Sequence, residues 1–504
     1  MARLHEYQAK AILRRAGIAV PAGGAASTPA EARALAAGVD GGAVVKAQVW
    51  TTSRAAQNLI RFVATPAEAE AAAAGLLGQM YGKFLVEQVL VEEQVSVAQE
   101  WYLGLIIDSA QRAPVLLLSA AGGSGVEGRA AGMASLPVDV LAGVDEAAAW
   151  GLCRAAGIPG GWAAALSAVI VRFYAAARGC EARSAEINPL ALTAGGEIVA
   201  LDARITVDDY AVFRHPDLGI EIAREFDHPP TRLERIAWEV EKNDYRGTFY
   251  FVQLRENFAK GSGVIGFHGA GGGGSMINMD ALLAQGFQVA NFTDTSGNPP
   301  ASKVYRAARI VLSQPNIDGY FAGGSGVASQ EQYHSARGLV KAFMDAALNV
   351  PAVIRIGGNS EEYAVEILWR ANGAFPAPVE AYGRDDPPEA GARRLRALIE
   401  SYTPAPKPAQ PQRPPVQEPY SFETVTGGTV TFDHALCRAC ESKICVQTCV
   451  PQILSLAGEV PVLNITHEEA RRGGCTECLA CEVECWFLGA RGGVVRLPIA
   501  GLEG

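Results

Sequence analysis

The sequence predicts an α/β protein of several domains. It has a mixed N-terminal part, a doubly wound parallel sheet in its middle and a small α+β module at its C-terminal end. Three observations carry this. A chain of 504 residues exceeds what one hydrophobic core organises. Beyond residue 260, apolar strands (GVIGF, QVANFTD, NIDGYFAGG, NVPAVIRIGGN) alternate with helical stretches, the pattern of βα units in a parallel sheet. Eight of the ten cysteines crowd into the 49 residues from Cys437 to Cys485. The expected boundaries are 1–240, 241–400, a proline-rich linker at 401–420 and the cysteine module at 421–504.

Apolar content of 49% and charged content of 19% describe a globular protein, and a net charge of −10 argues against a nucleic-acid surface. No apolar run reads as long enough to span a bilayer, and the N-terminal stretch lacks an apolar signal core. Thiols grouped as ligands, with only Cys153 and Cys180 elsewhere, suggest a reducing cytoplasm.

The elements follow in order. Residues 4–18 have helical period, with Leu4, Tyr7, Ala11 and Ile12 on one face and Gly17 as a stop. GGAVVKAQV (41–49) is a buried strand carrying Lys46, a lysine that needs an anion or a snorkelling path. Phe84–Val91 is a further strand, ending at Glu92. Asn188 and Asp202 lie on two strands joined by the turn Thr193–Glu197, and such oxygen donors suit Mg²⁺; a turn residue and a strand-end cap are the plainer readings. A helix at Arg232–Lys242 and an aromatic strand, TFYFVQL, come next. In residues 261–283 a strand, a glycine-rich turn and a helix succeed one another, which fits an anion at a helix N-terminus. Residues 401–420 hold proline at the density of an extended, semi-rigid tether, or of a loop packed along the body.

The cysteines read Cys437-x2-Cys440-x4-Cys445-x3-Cys449 and then Cys475-x2-Cys478-x2-Cys481-x3-Cys485. In two-cluster ferredoxins three cysteines of a run hold one cube and the fourth reaches the other. Applied here, one [4Fe–4S] cluster takes Cys437, Cys440, Cys445 and Cys485, and the second takes Cys449, Cys475, Cys478 and Cys481. Zinc in two four-thiolate sites is the competing reading of CxxC pairs. GGCTECLACEVEC (473–485) resembles the small ferredoxin-like proteins that partner electron-transfer flavoprotein:quinone oxidoreductases. It differs in lacking proline directly after Cys449 and Cys485.

LHEYQAK (4–10), VVKAQV (44–49), VLVE (89–92), EWYLG (100–104), EINPL (186–190), LDAR (201–204) and FRHPDL (213–218) together resemble the beta subunit of succinyl-CoA synthetase, over roughly residues 1–400. The resemblance implies an ATP-grasp fold followed by a flavodoxin-like domain. It assigns ATP phosphates to Lys46 and Arg54, the adenine hinge to Glu92, and Mg²⁺ to Asn188 and Asp202. Glu100 would be the catalytic glutamate that meets the phosphohistidine loop of a partner. Gly269, Ala270 and Gly271 would face the phosphohistidine and the acyl phosphate. His268 would lie near the carboxylate substrate, and Gly324, Gly326 and Val327 in the loop that grips it. The resemblance also implies an alpha-type subunit bringing CoA and the histidine.

The residues from Trp50 to Gln57 depart from the family, which carries a glycine-rich phosphate loop there; of that loop only Arg54 remains. Two functions are therefore expected. One is a beta-type acid–thiol ligase subunit fused to an electron-transfer module. The other is an electron-transfer subunit, served by a flavoprotein or ferredoxin, on a ligase scaffold that no longer uses ATP. Clusters that only hold an interface form a third reading.

Overall fold

The computed structural model describes residues 2–50, 54, 57–123, 133–224, 228–242, 248–403 and 415–502. Its chain divides into two compact units, Met1–Pro229 and Pro230–Gly504.

Among its described residues the first unit has, besides the short pair Met80–Tyr81 and Phe84–Leu85, two main antiparallel sheets. The smaller has strands in the order Gly23–Ala26, Val89–Glu93, Ala43–Ala47, Ile60–Val63, backed by the helices Pro29–Ala36 and Pro66–Leu76. Each of these helices opens on a threonine that accepts the third residue's N–H, with proline in the first turn. The larger sheet is built on the long strands Val97–Asp108 and Ala182–Thr193, which pair antiparallel. The turn Thr193–Glu197 closes as expected, Thr193 N–H donating to Glu197 O at 2.8 Å.

Two sequence expectations are corrected in this unit. The first helix, Glu6–Arg15, buries Glu6 and Lys10 beside Ala9, Ile12 and Leu13, because the charges find partners inside. A 20-residue helix, Gly160–Gly179, does have the length and apolarity to cross a membrane. It packs instead into the unit's core through residues such as Leu166, Ile170 and Phe173.

In the second unit six strands order as Tyr250–Gln253, Asn291–Asp294, Val264–Ala270, Gly319–Gly324, Ala352–Arg355, Val379–Tyr382. The first is antiparallel to its neighbour; the remaining pairings are parallel. Alternate side chains leave the central strands on opposite faces. Phe321 and Val353 enter one core with the helices Gly272–Ala284 and Pro388–Ser401. Tyr320, Ala322, Ala352 and Ile354 enter the other with the helices Ala301–Leu312, Tyr333–Ala346 and Glu361–Ala371. A sheet so covered has the continuous apolar strands that the sequence displays.

The cysteine-rich segment is a three-stranded sheet (Pro419–Glu423, Thr429–Asp433, Gly493–Arg496), a hairpin (Leu454–Ala457, Val460–Leu463) and short helices, among them Ala480–Leu488. Its core residues Phe432, Val483 and Val495 belong to the same cluster as Val304, Leu339 and Ile367 of the preceding domain. Most of the proline-rich linker, residues 404–414, lies outside the described residues, as do residues 51–53, 55 and 56 of the altered phosphate loop.

Candidate functional sites

The first site is a cleft in the N-terminal unit, lined by His5, Glu6, Gln48, Trp50, Arg54 and Asp202 among others. Lys46 projects from its strand onto Glu6 (2.8 Å), Glu92 (3.0 Å) and the carbonyl of Leu201 (2.8 Å). Lys10 meets the same three groups, Glu6 at 2.8 Å, Glu92 at 2.6 Å and Leu201 O at 2.7 Å. Arg54 completes the network on Glu6 (2.6 Å) and Asp202 (2.8 Å). Burial works to raise the Glu6 pKa, but Lys10, Lys46 and Arg54 outweigh it and hold the carboxyl well below its ordinary value. Lys46 is raised: Glu6, Glu92 and Asp202 overcome a burial penalty that favours the neutral amine. Three cations thus face three carboxylates, and the group brings no surplus positive charge to the cleft.

Trp50 lies at the cleft's mouth, stacked on His5 with ring centroids 5.2 Å apart and edge-on to Phe84 at 6.1 Å. Burial, followed by the charge of Arg54, pushes the His5 pKa down to about 4, so this histidine is neutral at pH 7.

Of the residues expected around a nucleotide, Lys46, Arg54, Glu92 and Asp202 do come together. Glu92 is an ion-pair acceptor here, with its carboxylate shared by two lysines. Asn188 and Asp202 adjoin through their backbones, Asn188 N–H donating to Asp202 O at 3.1 Å. Their side chains are engaged differently. Asp202 pairs with Arg54, whereas the Asn188 Oδ1 accepts the N–H of Gly123 at 2.8 Å. Glu100 lies at that same glycine: a Cβ on Gly123 would stand 2.7 Å from its Oε2. Glu6 and Lys10 were not singled out by periodicity, which places charges outward; their presence in the LHEYQAK motif was the available signal.

The second site is a pocket at the C-terminal ends of the parallel strands, where doubly wound sheets bind ligands. His268, Ala270 and Gly324 line it, joined by Thr295, Gln332, Ser335 and Arg355. Gly271 precedes the helix Gly272–Ala284 with φ of 83°, and its N–H donates to Asp294 Oδ1 at 2.8 Å. The turn and the loop 323–326 touch: a Cβ on Gly274 would lie 2.3 Å from the Ser325 nitrogen, and one on Gly269 2.0 Å from Ser275 Oγ. Gly326 has φ of 80°, and Val327 points outward, 81% exposed. The His268 Nδ1 lies 2.6 Å from the Tyr320 hydroxyl, and burial pushes this histidine down to about 4. Arg355 donates to the carbonyls of Gly324 (3.0 Å), Arg384 (2.8 Å) and Asp386 (2.6 Å), which fixes the loop. Neutral hydrogen-bonding side chains around a helix N-terminus are suited to a carboxylate or phosphoryl group.

The third site is the cysteine module. Its thiols influence one another in two sets. Burial, then Cys485 and Cys440, push Cys437 up to about 12; burial, then Cys485, Cys437 and Cys440, do the same to Cys445. Burial, then Cys478, raises Cys449, and burial, then Cys478, Cys475 and Cys449, holds Cys481 well above the usual thiol value. Cys445 also acts on Cys481, so the two sets adjoin.

Nearby backbone N–H groups favour the thiolate of two of the cysteines and partly offset burial: those of Gly493, Arg491 and Gly492 at Cys485, and those of Ile453, Leu454 and Gln452 at Cys449. Left-handed φ values at Lys443 (46°), Gln452 (53°), Glu477 (50°), Leu479 (61°) and Arg491 (62°) turn the chain around the thiols. Among the described residues no three His, Cys, Asp or Glu close on the centre of a single ion. Cys437, Cys445, Cys449, Cys475, Cys478 and Cys485 are buried and Cys440 and Cys481 half-buried, and eight such thiols are a donor set that two cubes could take.

The comparisons with known proteins follow this division. Residues 3–192 match the family model of the ATP-grasp domain. The chain is 37% identical over 383 residues to the succinate–CoA ligase [GDP-forming] subunit beta of Thermus thermophilus, covering 75% of this chain and 96% of that one. It is 34% identical over 372 residues to the succinate–CoA ligase [ADP-forming] subunit beta of Roseiflexus, covering 73% and 93%. Among solved structures it is similar to the ATP citrate lyase of Methanothrix soehngenii in complex with citrate and coenzyme A. The TM-score is 0.65 at 19% identity, over 79% of this chain and 100% of that one, a likeness of fold.

Proposed function

Since the chain belongs to the family of succinate–CoA ligase beta subunits, we propose that it is the beta-type subunit of a nucleotide-dependent acid–CoA ligase that also carries two [4Fe–4S] clusters. The observation that carries the ligase reading is the cavity at His268, Ala270 and Gly324, set at the helix Gly272–Ala284 within a chain similar to these relatives over nearly their whole length. On this reading an alpha-type partner in a cytoplasmic hetero-oligomer brings CoA and a phosphorylated histidine. Gly269, Ala270 and Gly271 orient the phosphoryl group on the carboxylate, and Gly324, Gly326 and Val327 form the loop beside it. Glu100 steadies the histidine loop, and CoA then attacks the acyl phosphate. Lys46, Arg54 and Glu92 take the nucleotide with Mg²⁺ at Asp202 and Asn188, which requires the lysines to exchange carboxylates for phosphates.

The clusters, when bound, supply one-electron transfer. Cys437, Cys440, Cys445 and Cys485 would hold one, and Cys449, Cys475, Cys478 and Cys481 the other, with a flavoprotein or ferredoxin as redox partner.

A second reading is favoured by the balanced charges around Lys46 and by Trp50 in the cleft: an electron-transfer subunit whose ligase fold no longer takes nucleotide. Titration of ATP–Mg²⁺ or GTP–Mg²⁺ into anaerobically purified protein, co-expressed with its alpha-type subunit, separates the two. Binding abolished by Lys46→Ala, with nucleoside diphosphate formed only when acid and CoA are both present, is the ligase outcome. No binding in a protein whose clusters are intact and reducible leaves the electron-transfer subunit.

A further inference from the structure

Three buried acids lie between the cysteines of the C-terminal module, and each meets a base on a helix of the doubly wound domain. Glu484 accepts from Arg337 at 3.0 Å, Arg370 at 3.1 Å and the hydroxyl of Tyr363 at 3.1 Å. Glu482 accepts from Lys341 at 3.0 Å. Glu477, flanked by Cys475 and Cys478, lies 3.7 Å from Arg306 and accepts from the hydroxyls of Thr424 and Thr426 at 2.6 and 2.7 Å. The side chains of all three acids are 0% exposed.

Two of the three helices that supply these bases also wall the cavity at His268. Ala301–Leu312 gives Val304 to the cavity and Arg306 to Glu477. Tyr333–Ala346 gives Ser335 and Leu339 to the cavity, and Arg337 and Lys341 to the module. Each helix therefore has one face on the ligand site and another on the cysteine segment.

We propose that the cavity and the Cys449/Cys475/Cys478/Cys481 cluster are electrostatically coupled through these two helices, so that an anion in the cavity lowers the potential of that cluster. By reciprocity, reduction of the cluster weakens anion binding there by the same factor. The proposal rests on the cysteines holding clusters. Glu477, between Cys475 and Cys478, meets Arg306 on the helix Ala301–Leu312 that also gives Val304 to the cavity, which associates this quartet with the ligand site. The sign follows from charge: an added electron is disfavoured by a negative group held across a buried, low-dielectric wall.

The test is a redox titration of the full-length protein, followed by electron paramagnetic resonance. Cys478→Ser and Cys440→Ser assign each signal to its quartet. Ser335→Asp then stands in for a bound anion, with Ser335→Ala as its uncharged control. Ser335→Asp is expected to disfavour reduction of the Cys478-dependent cluster about tenfold, which is ~59 mV for a one-electron couple, while moving the Cys440-dependent cluster less. Arg337→Gln, which removes a positive charge from the same helix, should lower the same potential and covers the case in which the Ser335 variant does not fold. Folded, cluster-loaded variants in which neither potential moves, or both move equally, overturn the coupling. Wild-type protein that holds no iron after anaerobic reconstitution overturns the cluster reading on which it stands.

Discussion

Glu6 is the residue on which the N-terminal cleft turns. It binds Lys10, Lys46 and Arg54 at once, and its carboxyl is held well below the ordinary 4.5. A depressed carboxyl adds stability at pH above its unfolded value and loses it as pH falls toward the folded one. Thermal unfolding should therefore be insensitive to Glu6 above about pH 4.5 and decline below it, and Glu6→Gln should remove that acid dependence. Lys46 has a raised pKa, so its contribution is complete below its ordinary 10.5 and persists into alkali beyond that value. His268 gives a second acid signature in the other unit. Its folded value of about 4 lies below the ordinary 6.5, so the unfolded chain takes up the proton first and stability falls between those two pH values. The loss should be about 3 kcal/mol. Denaturant unfolding of His268→Gln at pH 7 and pH 4.5 should show a smaller difference than wild type.

At the scale of elements, the turn before the helix Gly272–Ala284 is set by backbone contact. Gly274 approaches Ser325 so closely that a methyl group would stand 2.3 Å from its nitrogen. Gly274→Ala must push the loop 323–326 away from the helix. We expect at least a tenfold loss of acyl-CoA formation with the circular dichroism of the wild type. Both elements were legible in sequence, the strand from its apolar run and the turn from its glycines, because local patterns specify them. The first helix shows where such patterns stop. Periodicity put Leu4, Tyr7, Ala11 and Ile12 on one face and said nothing of Glu6 and Lys10; the partners that hold those two inside come from residues 46, 54, 92 and 201, which no local window contains.

The whole molecule repeats that lesson. The two cysteine runs were legible in the sequence, because within each run two to four residues separate one thiol from the next. That spacing gave no hint of docking, because Glu482 and its partner Lys341 are 141 positions apart. The junction should be costly to break from one side. Glu484→Gln leaves Arg337 and Arg370 without their shared counter-charge, and we expect a loss of about 3–5 kcal/mol, measured by denaturant unfolding under anaerobic conditions. Replacing Glu484, Arg337 and Arg370 together by Met should recover much of that loss.

The same junction has a consequence for the order of events on the ribosome. Arg306, Arg337 and Lys341 are synthesised long before the acids that neutralise them. At ~5–20 residues per second, roughly 7–30 seconds separate Lys341 from Glu482, and the helices wait that long with bare cations on the faces they are to bury. The junction between the doubly wound domain and the cysteine segment therefore closes only after residues 477–484 have emerged, so its ion pairs form late in synthesis.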